Sequence, residues 1–193
     1  ARHLSGSPTP QFDPDTGAPA RLAGMTDADA IDLALLLLRC GAGAVMLAHG
    51  INHIRPNIDG TASWFGSIGM HPAKLHAWLA SITEIGAGIV LLLGLLTPFG
   101  AAGVVGVMFV AWAINHRGNG FFIFRPGEGW EYVMTLGIVG LAIGALGPGA
   151  WSLDDAFDLT DDLAGTTGLL IAAIGGLGGG AALLGVFWRP DRP

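Results

Sequence analysis

Two ionisable residues lie inside long apolar runs of the sequence. Arg39 belongs to the run 31–47 and Glu84 to the run 75–96. A charge at bilayer depth costs roughly 2.5–3.5 kcal/mol on insertion scales, so such residues face the protein interior and find partners. Opposite charges at similar depth on adjacent helices offset much of that cost. We therefore predict that Arg39 and Glu84 form a buried polar pair, which either fixes helix register or makes the polar floor of a ligand or proton site.

Further polar side chains gather near predicted helix ends on one side of the membrane. His49 and His53 are four residues apart and so share one helix face. Such a group could bind a quinone or another organic headgroup, or it could be histidines that simply tolerate the polar boundary. Imidazole and carboxylate ligands could also hold a metal ion, and two facing histidines could hold a haem. The predicted ligand or quinone pocket comprises His49, His53, Trp112, His116, Glu128 and Glu131, of which His49, His53 and His116 are the weak metal candidates.

The composition places the chain in a membrane. Of 193 residues, 51% are hydrophobic and 12% are charged, whereas soluble domains usually carry about 25% charged residues. Glycine occurs 32 times, and small residues let transmembrane helices approach closely. The net charge of −6 argues against nucleic acid, which requires a basic face. The single cysteine, Cys40, rules out a disulfide within the chain.

Five apolar segments approach the ~20 residues that a spanning helix needs. They are expected at about 28–53, 73–96, 101–116, 130–146 and 163–188. A capping signal at Thr26 precedes the first segment. The first connector, 54–72, is aromatic and suits the membrane interface. The other connectors are a tight turn at 97–100, a polar loop at 117–129 and an acidic amphipathic stretch at 150–162.

Two segments flank a predicted bundle at 26–154. Residues 1–25 are rich in Pro, Gly, Ser and Asp and are expected to form an irregular arm that lies on a partner chain. Residues 155–193 hold the acidic connector and the fifth helix, whose glycines have the four-residue spacing of close helix crossings. We predict that this helix contacts partner subunits through Gly175, Gly176, Gly179 and Gly180.

Lys and Arg are distributed unevenly between the two predicted membrane sides. One side receives Arg55, Lys74, Arg117, Arg125, Arg189 and Arg192, whereas the other receives only Arg2 and Arg21, both in the arm. Cytoplasmic loops carry an excess of Lys and Arg. The sequence therefore predicts a multi-pass protein of the plasma membrane, with the arm outside and the C-terminus in the cytoplasm.

An ordered series of motifs resembles one family. It comprises Arg39, His49-Gly50, Trp64-Phe65, Gly69-Met70-His71-Pro72, Glu84, and Gly147-Pro148-Gly149-Ala150-Trp151-Ser152-Leu153-Asp154. Residues 35–154 resemble the DoxX-like integral membrane proteins. The resemblance implies an all-α, polytopic four-helix membrane bundle, here with an added C-terminal transmembrane helix and the irregular arm. The chain departs from the family at His53, where relatives often carry lysine.

The resemblance also implies a class of membrane complex in which the protein works. The family name comes from membrane subunits of quinone-linked oxidases of the bacterial plasma membrane. The first hypothesis is an accessory subunit of a larger redox or respiratory complex, which docks other membrane subunits and contacts quinone or lipid. A second is a quinone-reducing oxidoreductase subunit, whose electrons must come from a partner because the sequence shows no redox centre of its own. A third is a small transporter or lipid-binding module. No cofactor is predicted beyond quinone or bound lipid, and no catalytic residue is assigned.

Overall fold

Helices account for the regular structure of the chain. The computed structural model describes residues 25–190, so the predicted arm lies outside the described residues except for Met25. The first helix, α1, runs over Asp27–Ile54. The Thr26 hydroxyl accepts a hydrogen bond from the Asp29 amide at 3.1 Å, and the Asp29 carboxylate accepts one from the Thr26 amide at 3.0 Å. This reciprocal capping box satisfies two groups and fixes the helix start as the sequence predicts.

The aromatic connector contains a second helix, α2, at Ile58–Ser67. Asn57 caps it by accepting hydrogen bonds from the amides of Asp59 and Gly60. Its apolar side, with Ile58, Ala62 and Phe65 buried, packs on the next helix. That helix, α3, runs over Ala73–Leu93 and ends at Gly94, whose φ of 62° is left-handed. Such a residue commonly terminates a helix because it has no Cβ to clash.

The turn after α3 lies earlier than the sequence predicts. Helix α4 covers Thr97–Ala111, so Thr97 and Pro98 belong to its first turn rather than to a tight turn between helices. Proline fits there because the first helical amides have no partner within the helix and its φ is already helical. Helix α4 then widens into a π-helical segment at Trp112–His116. The connection to α3 is therefore formed by residues 94–96.

The second half of the described chain begins with α5 at Glu131–Leu146. The acidic stretch forms two short helices, α6 at Leu153–Ala156 and α7 at Thr160–Leu163. The last long helix starts with α8 at Gly165–Leu170, widens into a π-helical segment at Ile171–Gly178 and ends with α9 at Gly179–Phe187.

Within residues 25–190, four helices are long and apolar enough to cross a membrane. They are Asp27–Ile54, Ala73–Leu93, Thr97–His116 and Gly165–Phe187. Helix α5 is apolar but has only 16 residues, which gives a length of about 24 Å against a hydrocarbon core of about 30 Å. The prediction of an all-α polytopic bundle with an additional C-terminal helix is confirmed, although α5 is shorter than the other spans.

Glycine contacts set the register between α1 and α3. A Cβ on Gly43 would lie 2.9 Å from the Gly88 carbonyl oxygen, and one on Gly88 would lie 2.8 Å from the Gly43 carbonyl oxygen. The two backbones are therefore in direct contact, which only glycine permits at this distance. Around this crossing, apolar side chains of α1, α3, α4 and α5 form the core, including Met46, Leu91, Val104 and Ile143.

The C-terminal helix packs within the chain. Cβ atoms on Gly176 and Gly180 would clash with Val105 and Phe109 of α4, and one on Gly175 would lie 3.3 Å from Ala102. The prediction that these glycines contact partner subunits is therefore wrong for Gly176 and Gly180, which are buried against α4, and it stays a prediction for the exposed Gly175 and Gly179. Only Gly179 of the predicted set faces open space. Small residues serve here to bring the π-helical segment Ile171–Gly178 and α9 against α4 of the same chain.

The chain after α9 is also fastened to the bundle. Trp188 makes an antiparallel bridge with Met70, and its indole donates a hydrogen bond to the Ile68 carbonyl at 2.9 Å. The Arg189 amide donates to the Gly69 carbonyl at 2.7 Å. The guanidinium of Arg117 lies 5.3 Å from the Trp188 ring centroid. These contacts close the end of the bundle that carries Arg55, Lys74, Arg117, Arg125 and Arg189, which we call the basic end.

Candidate functional site

Arg39 is fully buried; its two terminal nitrogens donate hydrogen bonds, while its Nε has no partner among residues 25–190. The side chain is 1% exposed. Its Nη1 donates to the Leu91 carbonyl at 3.0 Å and its Nη2 to the Trp151 carbonyl at 2.7 Å. Leu91 lies in the last turn of α3, and its carbonyl also accepts a hydrogen bond from the Gly94 amide at 3.2 Å. Arg39 therefore adds a second donor at the end of this helix and ties it to the loop that follows α5.

Asp154 completes the same polar cluster from the other side of the turn. Its carboxylate, 0% exposed, accepts hydrogen bonds from the amides of Leu96 and Thr97 at 2.6 and 2.9 Å. These amides open α4, so a residue far away in sequence caps that helix. The Asp154 amide donates to the Gly94 carbonyl at 2.8 Å, and its negative charge attracts the guanidinium of Arg39. We call Arg39, Gly94, Trp151 and Asp154 the polar lock.

The predicted pair of Arg39 and Glu84 is not formed. Both residues are buried, but each has other neighbours. The register explains why: Gly43 lies against Gly88 and Leu92, so four residues earlier Arg39 lies opposite about Leu92. Glu84 is eight residues before Leu92, which is about 12 Å along the helix axis. Placing each charge by the middle of its apolar run underestimated this separation.

Glu84 lies instead beside His53. It is 5% exposed, and its Oε2 is 3.3 Å from the His53 Nε2. This oxygen makes no geometrically sound hydrogen bond with any residue in the part of the chain that the structure describes. A buried oxygen left in this state costs free energy unless a ligand or water satisfies it. Glu84 is thus a buried carboxylate with incomplete hydrogen bonding, whereas both oxygens of the buried carboxylate of Asp154 accept hydrogen bonds.

Glu84 opens onto a large cavity of about 660 Å³, which reaches from mid-depth toward the basic end. A volume of this size suits a drug-sized organic molecule. Most of the lining is apolar, with aromatic contributions from Trp64 and Phe65. His76 also lines the cavity, is 2% exposed, and has no hydrogen-bond partner for its Nε2 among residues 25–190. The cavity therefore joins an apolar wall to two unsatisfied polar atoms.

The structure brings together four of the six predicted pocket residues. His49, His53, His116 and Glu128 line the cavity. The His49 ring stacks on Tyr132 with centroids 6.1 Å apart, and the His116 Nδ1 is 2.8 Å from the Glu128 carbonyl oxygen.

The other two predicted pocket residues lie elsewhere. Trp112, the first residue of the π-helical segment, stacks on Phe109 and is 41% exposed. Glu131 begins α5 and its carbonyl accepts a hydrogen bond from the Thr135 hydroxyl. Neither residue lines the cavity, so the prediction is wrong for Trp112 and Glu131.

Sequence reasoning missed three residues of the polar lock and of the cavity that Glu84 lines. Tyr132 and His76 line the cavity, and Asp154 caps α4. His76 and Tyr132 each lie one turn inside the end of an apolar segment, where a polar side chain facing inward is a usable signal. Asp154 was quoted as part of a motif, but nothing local indicates which distant amides it binds.

The histidines do not form a metal-ligand set. Within the described range, no group of three or more His, Cys, Asp or Glu side chains is placed to hold a metal ion. His53 faces Glu84, His49 faces Tyr132, and His116 faces a backbone carbonyl. The weak metal candidates His49, His53 and His116 therefore have separate partners.

Comparison with known proteins bears on the segment that holds Arg39, His53 and Glu84. Residues 34–117 match the DoxX family model. The predicted resemblance is confirmed over this stretch, which we call the DoxX-like segment; it extends from within α1 to just after the π-helical segment that follows α4. No curated protein and no solved structure matches the chain.

Both centres extend beyond the DoxX-like segment. The polar lock takes Trp151 and Asp154 from the loop and short helix after α5. The cavity takes Tyr132 from α5 and glycines from α9 and the π-helical segment before it. The DoxX-like segment thus supplies Arg39 and Glu84, and later parts of the chain supply Asp154 and complete the surroundings of both centres.

Proposed function

We propose that this membrane protein binds a quinone in the cavity and acts as an accessory subunit of a larger redox complex. The observation that supports the proposal is the buried carboxylate of Glu84, held beside His53 with an unsatisfied oxygen at the wall of an otherwise apolar cavity. An apolar pocket with a few converging polar groups is the usual form of a small-molecule site.

The available groups fit a quinone head. A quinone carbonyl accepts hydrogen bonds and its reduced hydroxyl donates them. His76 can donate or accept at Nε2 depending on its tautomer, and Glu84 accepts when ionised and donates when protonated. The two residues lie eight positions, or about 12 Å, apart along α3. The quinone ring can bond to one of these two residues directly. It can reach the other through one of its ring substituents or through a water molecule.

The accessory role follows from what the lining can do chemically. His, Glu and Tyr side chains can bind and orient a quinone and exchange protons with it, but they do not supply or accept the two electrons of its redox reaction. Electrons would have to come from another subunit. In this proposal the chain holds the quinone, and a partner subunit oxidises or reduces it.

The proposed topology places the basic end in the cytoplasm. Among residues 25–190, the five cations outside the apolar interior lie at that end, and eight aspartates lie at the opposite end of the bundle. Positively charged loops are retained on the cytoplasmic side. The cavity would then lie in the cytoplasmic half of the membrane, within reach of protons from that side.

Quinone binding can be measured directly. Purified protein in lipid nanodiscs is titrated with decylubiquinone, and quenching of tryptophan fluorescence reports binding because Trp64 lines the cavity. Glu84→Gln, which keeps the shape but not the charge, is expected to weaken binding about tenfold or more, as for a hydrogen bond to a charged group. Glu131→Gln is the control, since Glu131 lies outside the cavity and should bind like the wild type.

Two results would contradict this proposal. Equal affinity in the wild type and Glu84→Gln would exclude the carboxylate from the site. Quenching that rises linearly without saturation would indicate partitioning into the lipid rather than binding.

The accessory role has its own test. The protein is extracted from its native membrane in mild detergent and examined by native mass spectrometry. We expect a stable complex that includes a redox-active subunit, whereas a homogeneous monomer would contradict this part of the proposal.

A further inference from the structure

The cavity continues sideways into a groove between α3 and α9. Leu79 and Thr83 of α3 form one wall, Gly179 and Leu183 of α9 form the other, and Gly103 and Gly106 of α4 form the floor. Leu79, Thr83 and Gly179 are exposed. Since these residues lie within membrane-spanning helices, this opening faces the hydrocarbon of the bilayer rather than water.

Glycine makes the groove deep. Helix α4 meets the C-terminal helix backbone to backbone, because a Cβ on Gly176 would lie 2.8 Å from the Ala102 carbonyl oxygen and one on Gly106 would lie 3.2 Å from that of Gly176. One turn further along the C-terminal helix, Gly179 has no atom within 4 Å of its Cβ position. Because glycine has no side chain, the space between α3 and α9 at Gly179 stays open as a channel.

The groove and the polar atoms belong to one continuous cavity. Glu84 and His76, both more than nine-tenths buried with an unsatisfied polar atom, line the same cavity as the glycine groove. A site with polar groups inside and an apolar, lipid-facing exit matches a molecule with a hydrogen-bonding head and a long aliphatic tail.

We propose that the groove between α3 and α9 holds the aliphatic tail of an amphiphile whose head lies at Glu84 and His76, and that the ligand reaches the cavity from within the bilayer. This inference rests on the proposed function for the identity of the head. The tail chemistry is shared by the isoprenoid chain of a quinone and the acyl chain of a lipid. The C-terminal helix, which lies outside the DoxX-like segment, thereby forms one wall of a ligand site.

The test uses a matched pair of substitutions in one helix. Gly179→Leu places a side chain at the groove, where a Cβ meets no atom within 4 Å. Gly185→Leu places one on the same helix, where a Cβ also meets no atom within 4 Å but where the residue does not line the cavity. Both replace an exposed glycine of α9 by leucine, so their effects on helix propensity are matched.

The readout is photo-crosslinking in nanodiscs with a decylubiquinone that carries a diazirine at the tail end. In the wild type, tail crosslinks are expected on peptides of the groove-lining helices α3, α4 and α9. Gly179→Leu should reduce their yield at least fivefold, and Gly185→Leu should leave it within twofold. The tailless 2,3-dimethoxy-5-methylbenzoquinone should bind the wild type and Gly179→Leu equally within twofold. Tail crosslinks that map elsewhere, or an equal loss in both variants, would overturn the inference.

A second probe separates this inference from the proposed function. If neither quinone binds, the proposed function fails, and a phospholipid with a diazirine on its acyl chain then tests the groove alone. Crosslinks on α3, α4 and α9 that are lost in Gly179→Leu would support a tail site with a lipid head. Crosslinks that do not depend on Gly179 would overturn the inference.

Discussion

The two buried polar centres of the bundle contrast in how completely their charges are satisfied. In the polar lock, both terminal nitrogens of Arg39 and both oxygens of Asp154 have backbone partners, while the Arg39 Nε and the Thr97 hydroxyl have none among residues 25–190. At the cavity, Glu84 has only a histidine beside one oxygen, and His76 keeps an unsatisfied nitrogen. The polar lock does not line the cavity and its carboxylate is fully hydrogen-bonded, so it stabilises one structure, whereas a carboxylate with incomplete hydrogen bonding beside open space can bind something else. We therefore assign stability to the first and ligand binding to the second.

The largest expected effect on stability is from Arg39→Leu. The substitution removes the hydrogen bonds that the guanidinium donates to the Leu91 and Trp151 carbonyls. It also leaves the buried carboxylate of Asp154 without the positive charge of Arg39. Breaking a buried charged cluster in this way costs about 3–5 kcal/mol. The free energy of unfolding can be measured in mixed micelles with increasing SDS. Arg55→Leu is the control at an exposed position of the basic end, and an equal loss in both variants would remove Arg39 from the lock.

Gly94→Ala tests the packing of the same centre. Its φ is 62°, and a Cβ there would overlap the Arg39 Nη1 and lie 2.6 Å from the Ser152 Cβ. The left-handed conformation costs about 1–2 kcal/mol and overpacking about 1–3 kcal/mol, so we expect a loss of about 2–5 kcal/mol in the same unfolding assay. Gly41→Ala, where a Cβ meets nothing within 4 Å, should be neutral or slightly stabilising. A neutral Gly94→Ala would show that the turn is loosely packed.

Asp154→Asn should have a smaller effect. The amide keeps one oxygen acceptor but places an NH2 group against an amide of Leu96 or Thr97. One buried unsatisfied donor costs about 1–3 kcal/mol. Asp155→Asn is the control, since Asp155 is exposed and its side chain only reaches the Thr160 hydroxyl at 3.4 Å. Equal stabilities of the two variants would mean that Asp154 does not cap α4.

Glu84→Gln should have the smallest effect on stability. The carboxylate has no well-formed hydrogen bond to lose within the described residues, and glutamine has nearly the same shape. We expect the free energy of unfolding to change by less than about 1 kcal/mol, in either direction, because a partly unsatisfied buried charge contributes little. The same variant should weaken quinone binding. A loss of 3 kcal/mol or more would make Glu84 part of the structural framework and would remove the contrast.

The helices and their membrane character could be predicted from the sequence because they depend on local composition. Apolar runs of sufficient length, the cap at Thr26 and the glycine spacing are all visible in one sequence. The helix start at Thr97 was missed because Thr-Pro resembles a turn signal, although proline is also common in a first helical turn. The carboxylate that caps α4 belongs to Asp154, which is 57 residues after Thr97 in the sequence.

The partners of the buried charges could not be predicted because they depend on helix register. That register is fixed by backbone contact between Gly43 and Gly88, two glycines among 32. A shift of eight residues along α3 changes the neighbour of Arg39 from a carboxylate to the carbonyls of a helix end. The role of the glycines in the last helix was misread for the same reason, since spacing predicts a close crossing but not which helix is crossed.

The coupling free energy between Arg39 and Glu84 tests the separation of the two centres most directly. It is obtained from the unfolding free energies of the wild type, Arg39→Lys, Glu84→Gln and the double variant. Because the two side chains have different partners, we predict additive effects within about 0.5 kcal/mol. A coupling above about 1 kcal/mol would mean that the guanidinium and the carboxylate interact, and it would contradict the division into a polar lock and a ligand site.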